Sequence, residues 1–189
     1  MLSPGKESAV KSLLAAYQGE TTAHAIYKAF AVKADADGLP GAASLFRAIA
    51  RAEQIHASNH ARVIRQMGGE AIAKVSDVHV KATLVNLKTA LLGEQHEIDV
   101  LYPAFLKEST SYFDAAAVRT LNWALQAEKT HARLYTMAIA QLEENQALTW
   151  TGAAKSFYIC PVCGYTASTR EAENCPVCNY IWERFEILS

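Results

Sequence analysis

The chain has 189 residues, 51% of them hydrophobic and 20% charged, with a formal net charge of −1. That is room for one domain of ordinary size with a small module beside it, in the composition of a soluble globular protein. The even charge argues against nucleic acid as a partner, and no stretch reaches the ~20 apolar residues that span a membrane.

The opening, MLSPGKESAV, lacks the charged start and apolar run of a signal peptide, so a cytoplasmic protein is expected. Glycine and proline then divide the first 145 residues into four long segments whose apolar residues recur every three or four positions. The first is predicted to begin at Ser3-Pro4, a hydroxyl cap before proline, and to run to about Ala34, ahead of DADGLPG. The second runs from about Ala42 to Met67, with Leu45, Ile49, Ala52 and Val63 along its stripe, and stops at Gly68-Gly69. The third covers roughly Thr83 to Lys107 and the fourth roughly Asp114 to Asn145. Short loops join the first pair and the second pair, so each pair is expected to be antiparallel. The 15 residues from Gly68 to Ala82 reach roughly 50 Å when extended. A 25-residue helix is only about 37 Å long. The middle connection therefore spans the bundle, which is the single long crossover of an all-α, ferritin-like four-helix bundle.

Residues 146–157, QALTWTGAAKSF, lose the helical period and read as a linker between a bundle at 1–145 and a small domain at 158–189. All four cysteines lie in that last domain, as Cys160-Pro-Val-Cys163-Gly-Tyr and Cys175-Pro-Val-Cys178-Asn-Tyr. In a reducing compartment such knuckles are metal ligands, and four thiolates suit tetrahedral iron or zinc. So short a segment needs the metal as a staple, with Trp182, Phe185 and Ile187 expected to supply its core.

The bundle contains a repeat. Gly19-Glu20 followed by Tyr27-x-x-Phe30 is echoed by Gly93-Glu94 followed by Tyr102-x-x-Phe105. Likewise Ala52-Glu53-x-x-His56-Ala57 is echoed by Ala127-Glu128-x-x-His131-Ala132. Each helix thus carries a glutamate near its middle, on or beside the apolar stripe, where a carboxylate persists only if paired or metal-bound. Residues three apart share a helix face, so Glu53 with His56, Glu94 with Glu97, and Glu128 with His131 can each address one ion. Five carboxylates and two imidazoles in one layer call for two divalent cations, with iron or manganese suited to the oxygen and nitrogen donors. His24, His60, His79 and His96 read as core or surface residues, and Tyr17 and Tyr135 as packing. Tyr27 and Tyr102 stay open between packing and hydrogen-bonding of the ligand carboxylates through their phenols.

With Glu20, Glu53-x-x-His56, Glu94-x-x-Glu97, Glu128-x-x-His131 and the two Cys-x-x-Cys knuckles, the whole chain resembles rubrerythrin, a ferritin-like diiron domain followed by a rubredoxin-like domain. The resemblance implies Glu53 and Glu128 as bridges, Glu20 with either His56 or Glu97 on one iron, and Glu94 with His131 on the other. It implies a third iron on Cys160, Cys163, Cys175 and Cys178, which zinc can replace in recombinant protein. It further implies reduction of hydrogen peroxide to water in oxidative-stress defence, with electrons from NADH arriving through a reductase or rubredoxin. Homodimers are implied too, in which one subunit's rubredoxin-like iron faces the other's diiron site. Catalysis would then rest on Glu97 and His56, exchanging on one iron, with Tyr27 and Tyr102 beside them. The other readings are a ferroxidase or oxidase, and an iron-binding or peroxide-sensing protein with a structural zinc ribbon. Two departures stand out: Asn179 replaces the second knuckle's usual glycine, and the spacer between knuckles is much shorter than in free rubredoxins.

The repeat also predicts local geometry. Glu20 precedes Tyr27 by seven residues, two helical turns, whereas Glu94 precedes Tyr102 by eight. For Tyr102 to face the metals as Tyr27 does, one residue must be absorbed in a wide π-type turn within 94–104, beside Pro103. A simple kink at Pro103, with Tyr102 facing elsewhere, is the alternative.

Overall fold

The computed structural model describes residues 4–75, 77–112, 114–144, 148–151 and 153–189. Six α-helices and three short strands follow in order: α1 (Pro4–Ala36), α2 (Pro40–Gln66), α3 (Thr83–His96), a π-helical turn (Glu97–Leu101), α4 (Tyr102–Tyr112), α5 (Ala115–Glu143), α6 (Leu148–Thr151), β1 (Phe157–Ile159), β2 (Thr166–Ala167) and β3 (Glu186–Leu188). The expected cap Ser3, and Asn145 at the expected end of the fourth helix, lie outside the described residues.

Helices α1 and α2 pack along their length, and α3, the π turn and α4 form one rod against α5. Between α1 and α2, Gly38 adopts φ 72°, which lets the Leu39 N–H return to the Ala34 carbonyl at 2.9 Å. The second helix starts at Pro40, two residues before the predicted Ala42, because proline fits a first helical turn whose N–H groups lack partners anyway. Asp114 caps α5, its carboxylate accepting from Ala116 and Ala117 N–H at 3.0 and 2.9 Å. The crossover runs beside α1: Gln18 exchanges two hydrogen bonds of 2.9 Å with the Lys74 backbone. At its end Asp37 accepts from the backbone and hydroxyl of Thr83. These contacts tie the long connection to the bundle, as a ferritin-like fold requires.

Two apolar cores fill the bundle, one around Phe30, Leu45, Phe46, Leu134 and Tyr135, the other around Leu13, Ile64, Tyr102 and Leu121. Along α1, α2 and α5 the polar residues Glu20, Glu53, His56, Glu128 and His131 fall between them. No described helix is long and apolar enough to cross a membrane.

The stretch expected as a plain linker contains α6, whose Trp150 is fully buried and donates its indole N–H to Gln141 at 2.9 Å. Gln146 and Ala147 of the expected linker, and its Gly152, lie outside the described residues. Beyond it, the strands form an antiparallel sheet in the order β2-β1-β3. Trp182 stacks on Phe185 at 4.3 Å, as expected of a small core, with Tyr158 and Tyr165 beside them. Ile187 does not join them. It is 62% exposed, because strand alternation turns its neighbours Glu186 and Leu188 inward instead. Glu186 makes a two-pronged ion pair with Arg51 of α2, both bonds 2.7 Å, which fastens the sheet to the bundle.

Candidate metal centres

Between the two apolar cores, ligand atoms gather in two overlapping groups. Glu20, Glu53, His56 and Glu128 place donor atoms within 4.8 Å of one another, and so do Glu53, Glu94, Glu128 and His131. Glu53 and Glu128 belong to both. Both imidazoles turn Nδ1 toward the carboxylates. His56 Nδ1 lies 2.9 Å from Glu53 and from Glu128 and 3.6 Å from Glu20. His131 Nδ1 lies 2.7 Å from Glu128, 3.3 Å from Glu53 and 3.5 Å from Glu94.

All six side chains are buried, and Glu20 Oε2, both oxygens of Glu53, Glu94 Oε2, Glu128 Oε1 and His56 Nδ1 have no hydrogen-bond partner. Buried acceptors left unpaired are costly, about 1–3 kcal/mol each and more when charged. Inward-aimed oxygens and nitrogens at two shared positions fit two cations. The protein's own groups can otherwise balance the charge only by holding protons. Burial, then Glu128 and Glu53, pushes the Glu20 carboxyl up to about 8. Burial, with neighbouring carboxylates, also raises Glu94 and Glu97. His56 and His131 are raised too; burial opposes their charge, but the surrounding glutamates outweigh it.

Glu97 stands apart from both groups. It sits half-buried in the π turn, with Oε1 toward Gly19, and lines a cleft of about 350 Å3 between α1 and α3 together with Tyr27 and Gly93. Of the alternatives implied for the first ion, the geometry joins His56, not Glu97, to Glu20. The π turn itself is present: the Tyr102 N–H reaches back five residues to the Glu97 carbonyl. Tyr102 consequently faces inward and donates to Glu20, while Tyr27 donates to Glu94 at 2.6 Å.

Sequence reasoning left His60 among the core and surface residues. It is fully buried and polar-bonded on both ring nitrogens, to Tyr102 at 3.2 Å and to Thr120 at 3.1 Å. Its position four residues after His56, one turn along the same face, was the available signal. Tyr135 does pack as expected, edge-on to Tyr27 at 5.7 Å. His24 binds the Ala50 carbonyl at 2.6 Å, away from the cluster.

The four cysteine sulfurs form a third group within 4.8 Å of one another, at the tips of two matching knuckles. In the first, Cys160 N–H binds the Tyr165 carbonyl and Gly164 N–H the Cys160 carbonyl; in the second, Cys175, Tyr180 and Asn179 repeat the pattern. Gly164 at φ 78° and Asn179 at φ 62° take the left-handed conformation that closes each knuckle.

The two centres touch. His56 Nε2 lies 3.0 Å from the Cys163 carbonyl, and His131 Nε2 lies 3.3 Å from that of Gly164. A carbonyl only accepts, so Nε2 carries the hydrogen and Nδ1 is left free to face a metal.

Comparison with known proteins agrees with this arrangement. The family model described as rubrerythrin matches residues 11–139. Rubrerythrin-2 of Clostridium acetobutylicum is 36% identical over 162 residues, covering 85% of this chain and 86% of the relative. Nigerythrin of Nitratidesulfovibrio vulgaris is 33% identical over 159 residues, covering 84% and 75%. The fully reduced, all-ferrous structure of nigerythrin superposes with a TM-score of 0.83 at 31% identity, over 95% of this chain and 86% of that one. A bacterioferritin from Desulfovibrio desulfuricans, at TM-score 0.74 and 23% identity over 79% of this chain and 90% of its own, shares the fold. The carboxylate–histidine cluster and the four-cysteine cluster match the iron cofactors of such proteins.

Proposed function

Since the chain belongs to the rubrerythrin family, we propose that it is a cytoplasmic diiron peroxidase that reduces hydrogen peroxide to water. Electrons enter through the four-cysteine iron from a reductase or rubredoxin, and ultimately from NADH. The observation that carries this reading is the direct contact of the two clusters, through His56 with Cys163 and His131 with Gly164. A storage or sensing protein with a structural zinc ribbon has no need to press the ribbon's metal-bearing turn against both imidazoles.

Glu53 and Glu128 are the shared ligands, Glu20 with His56 completes one position, and Glu94 with His131 the other. Two ferrous ions held by these residues would supply the two electrons that peroxide reduction needs. Tyr102 and Tyr27 hold Glu20 and Glu94 by hydrogen bonds from their phenols. Glu97, beside the cluster and outside it, is the residue to exchange with His56. A neutral imidazole suits a ferrous ion and an anionic carboxylate a ferric one. The backbone bonds from Cys163 and Gly164 to the imidazoles provide the electron route, and in this chain both ends of it lie in one subunit.

The test is to prepare the protein anaerobically in its native host, assay its metals and mix the reduced form with peroxide or with oxygen. Iron in both centres, with faster oxidation by peroxide, is expected. Zinc on the cysteines of natively produced protein would remove the electron route, and preference for oxygen would make the protein an oxidase.

A further inference from the structure

Three side chains, Tyr102, His60 and Thr120, connect Glu20 to the protein surface in one direction. Tyr102 donates its hydroxyl hydrogen to Glu20, so its oxygen must accept from His60, 3.2 Å away. His60 is fully buried between the Tyr102 and Thr120 hydroxyls, surroundings that favour the neutral ring. With Nε2 donating to Tyr102, Nδ1 can only accept, and the group 3.1 Å from it is the Thr120 hydroxyl. Thr120 lines a cavity of about 630 Å3 where α2, α5 and the first knuckle meet, along with the exposed side chains of Arg62, Gln66 and Arg119. Every hydrogen in the series points from that cavity toward Glu20.

The internal repeat shows that this is not a by-product of the bundle. The spacing of 75 residues that relates His56 to His131 also relates His60 to Tyr135 and Leu45 to Thr120. On the Glu94 side, then, Tyr27 meets the ring of Tyr135 in place of a histidine, and Leu45 occupies the place of the threonine. The Tyr135 hydroxyl is buried without a hydrogen-bond partner, and Leu45 is fully buried. One half of the repeat is wired to the surface and the other is sealed.

We propose that Thr120, His60 and Tyr102 form the proton inlet of the diiron centre, delivering at Glu20. The inference rests on the peroxidase reading for its demand: H2O2 + 2 H+ + 2 e− gives 2 H2O, so two protons must reach a buried site in each turnover. A proton from cavity water joins the Thr120 oxygen as the Thr120 hydrogen moves to His60 Nδ1. The Nε2 hydrogen moves to Tyr102, and the phenolic hydrogen to Glu20. Thr120, His60 and Tyr102 each gain one proton and lose one, so none of them changes charge. The series is reset when the two hydroxyls rotate and the imidazole returns to its Nε2-protonated tautomer.

Thr120→Val keeps the shape and removes the hydroxyl at the member farthest from the metals, and Thr120→Ser restores it. In the iron-loaded chain, Thr120→Val is expected to slow oxidation of the reduced protein by peroxide about tenfold or more. The rate ratio between H2O and D2O should rise, and Thr120→Ser should recover both. In the zinc-loaded, diamagnetic full chain, 15N NMR should show His60 protonated on Nε2 with Nδ1 accepting, and Thr120→Val should shift the Nδ1 signal. An unchanged rate and isotope ratio in Thr120→Val, a slower rate with an unchanged ratio, or a His60 protonated on Nδ1 would each overturn the inlet. If wild-type protein does not consume peroxide at all, the peroxidase reading fails instead.

Discussion

Gly164 is where a single residue matters to both centres. Its φ of 78° closes the first knuckle, and a Cβ there would overlap the His56 ring. Alanine would carry the left-handed backbone cost of about 1 kcal/mol, and the clash with a buried imidazole besides. Gly164→Ala is therefore expected to load its thiolate-bound iron, seen in the visible spectrum, but to lose electron transfer to the bundle by at least about tenfold. Normal steady-state turnover in that variant would show that the contact carries no electrons. Asn179 fills the matching place in the second knuckle, where its exposed side chain accepts from Asn174. This accounts for the departure from glycine: a left-handed residue is needed at both knuckles, but clearance from the bundle at one. Asn179→Gly should leave stability within about 0.5 kcal/mol and turnover unchanged. The ligands were readable in the sequence because Glu-x-x-His and Glu-x-x-Glu are local patterns on one helix face. His60, Thr120 and the second duty of Gly164 were not, because their partners come from other elements, and spacing along one helix says nothing of those.

Among the elements, the π turn links the repeat to the chemistry. The eight-residue spacing from Glu94 to Tyr102 was visible as one residue too many, and Tyr102 meets Glu20 because the turn at Glu97–Leu101 absorbs it. Val100 in that turn is 51% exposed. Deleting it returns the spacing to seven residues, so a regular helix would still present Tyr102 and all of α4 as before. Only the widened turn that holds Glu97 beside the cluster would be lost. The deletion is expected to leave circular dichroism and iron content near those of the wild type, yet to slow peroxide oxidation about 10- to 100-fold. Glu97→Ala should match it, since four other carboxylates remain to bind metal. A fast deletion variant beside a slow Glu97→Ala would show that the carboxylate matters and the turn does not. The exposed Ile187 shows the opposite limit. Apolar character suggested a core residue, but a three-residue strand alternates faces, and the face chosen depends on Arg51, 135 residues away from its partner Glu186.

On the scale of the whole molecule, the crossover length and the placing of the cysteines made bundle and module legible. How they sit together was not, because no pattern in either part records a surface matched to the other. The resemblance to rubrerythrin set the rubredoxin-like iron against the diiron centre of a second subunit. In this chain the first knuckle instead lies on its own His56 and His131, fastened by Arg51 with Glu186 and by Asn59 with the Val162 carbonyl at 2.7 Å. Two inactive variants can distinguish the arrangements. Cys160→Ser should disable the electron entry yet let chemically reduced irons consume one round of peroxide, while Glu97→Ala keeps the entry and disables the bundle. If each module serves its own bundle, mixing the two through a cycle of unfolding and refolding yields no activity beyond the sum of the separate proteins. If modules serve a partner's bundle, a mixed dimer pairs the intact module of one chain with the intact bundle of the other. Random pairing makes half the dimers mixed, and each has one working pair of its two, so about a quarter of wild-type turnover would return. The contacts within the chain lead us to expect no recovery, read as the rate of peroxide-dependent NADH oxidation in the presence of the reductase. Recovery near a quarter would place the same contacts between subunits.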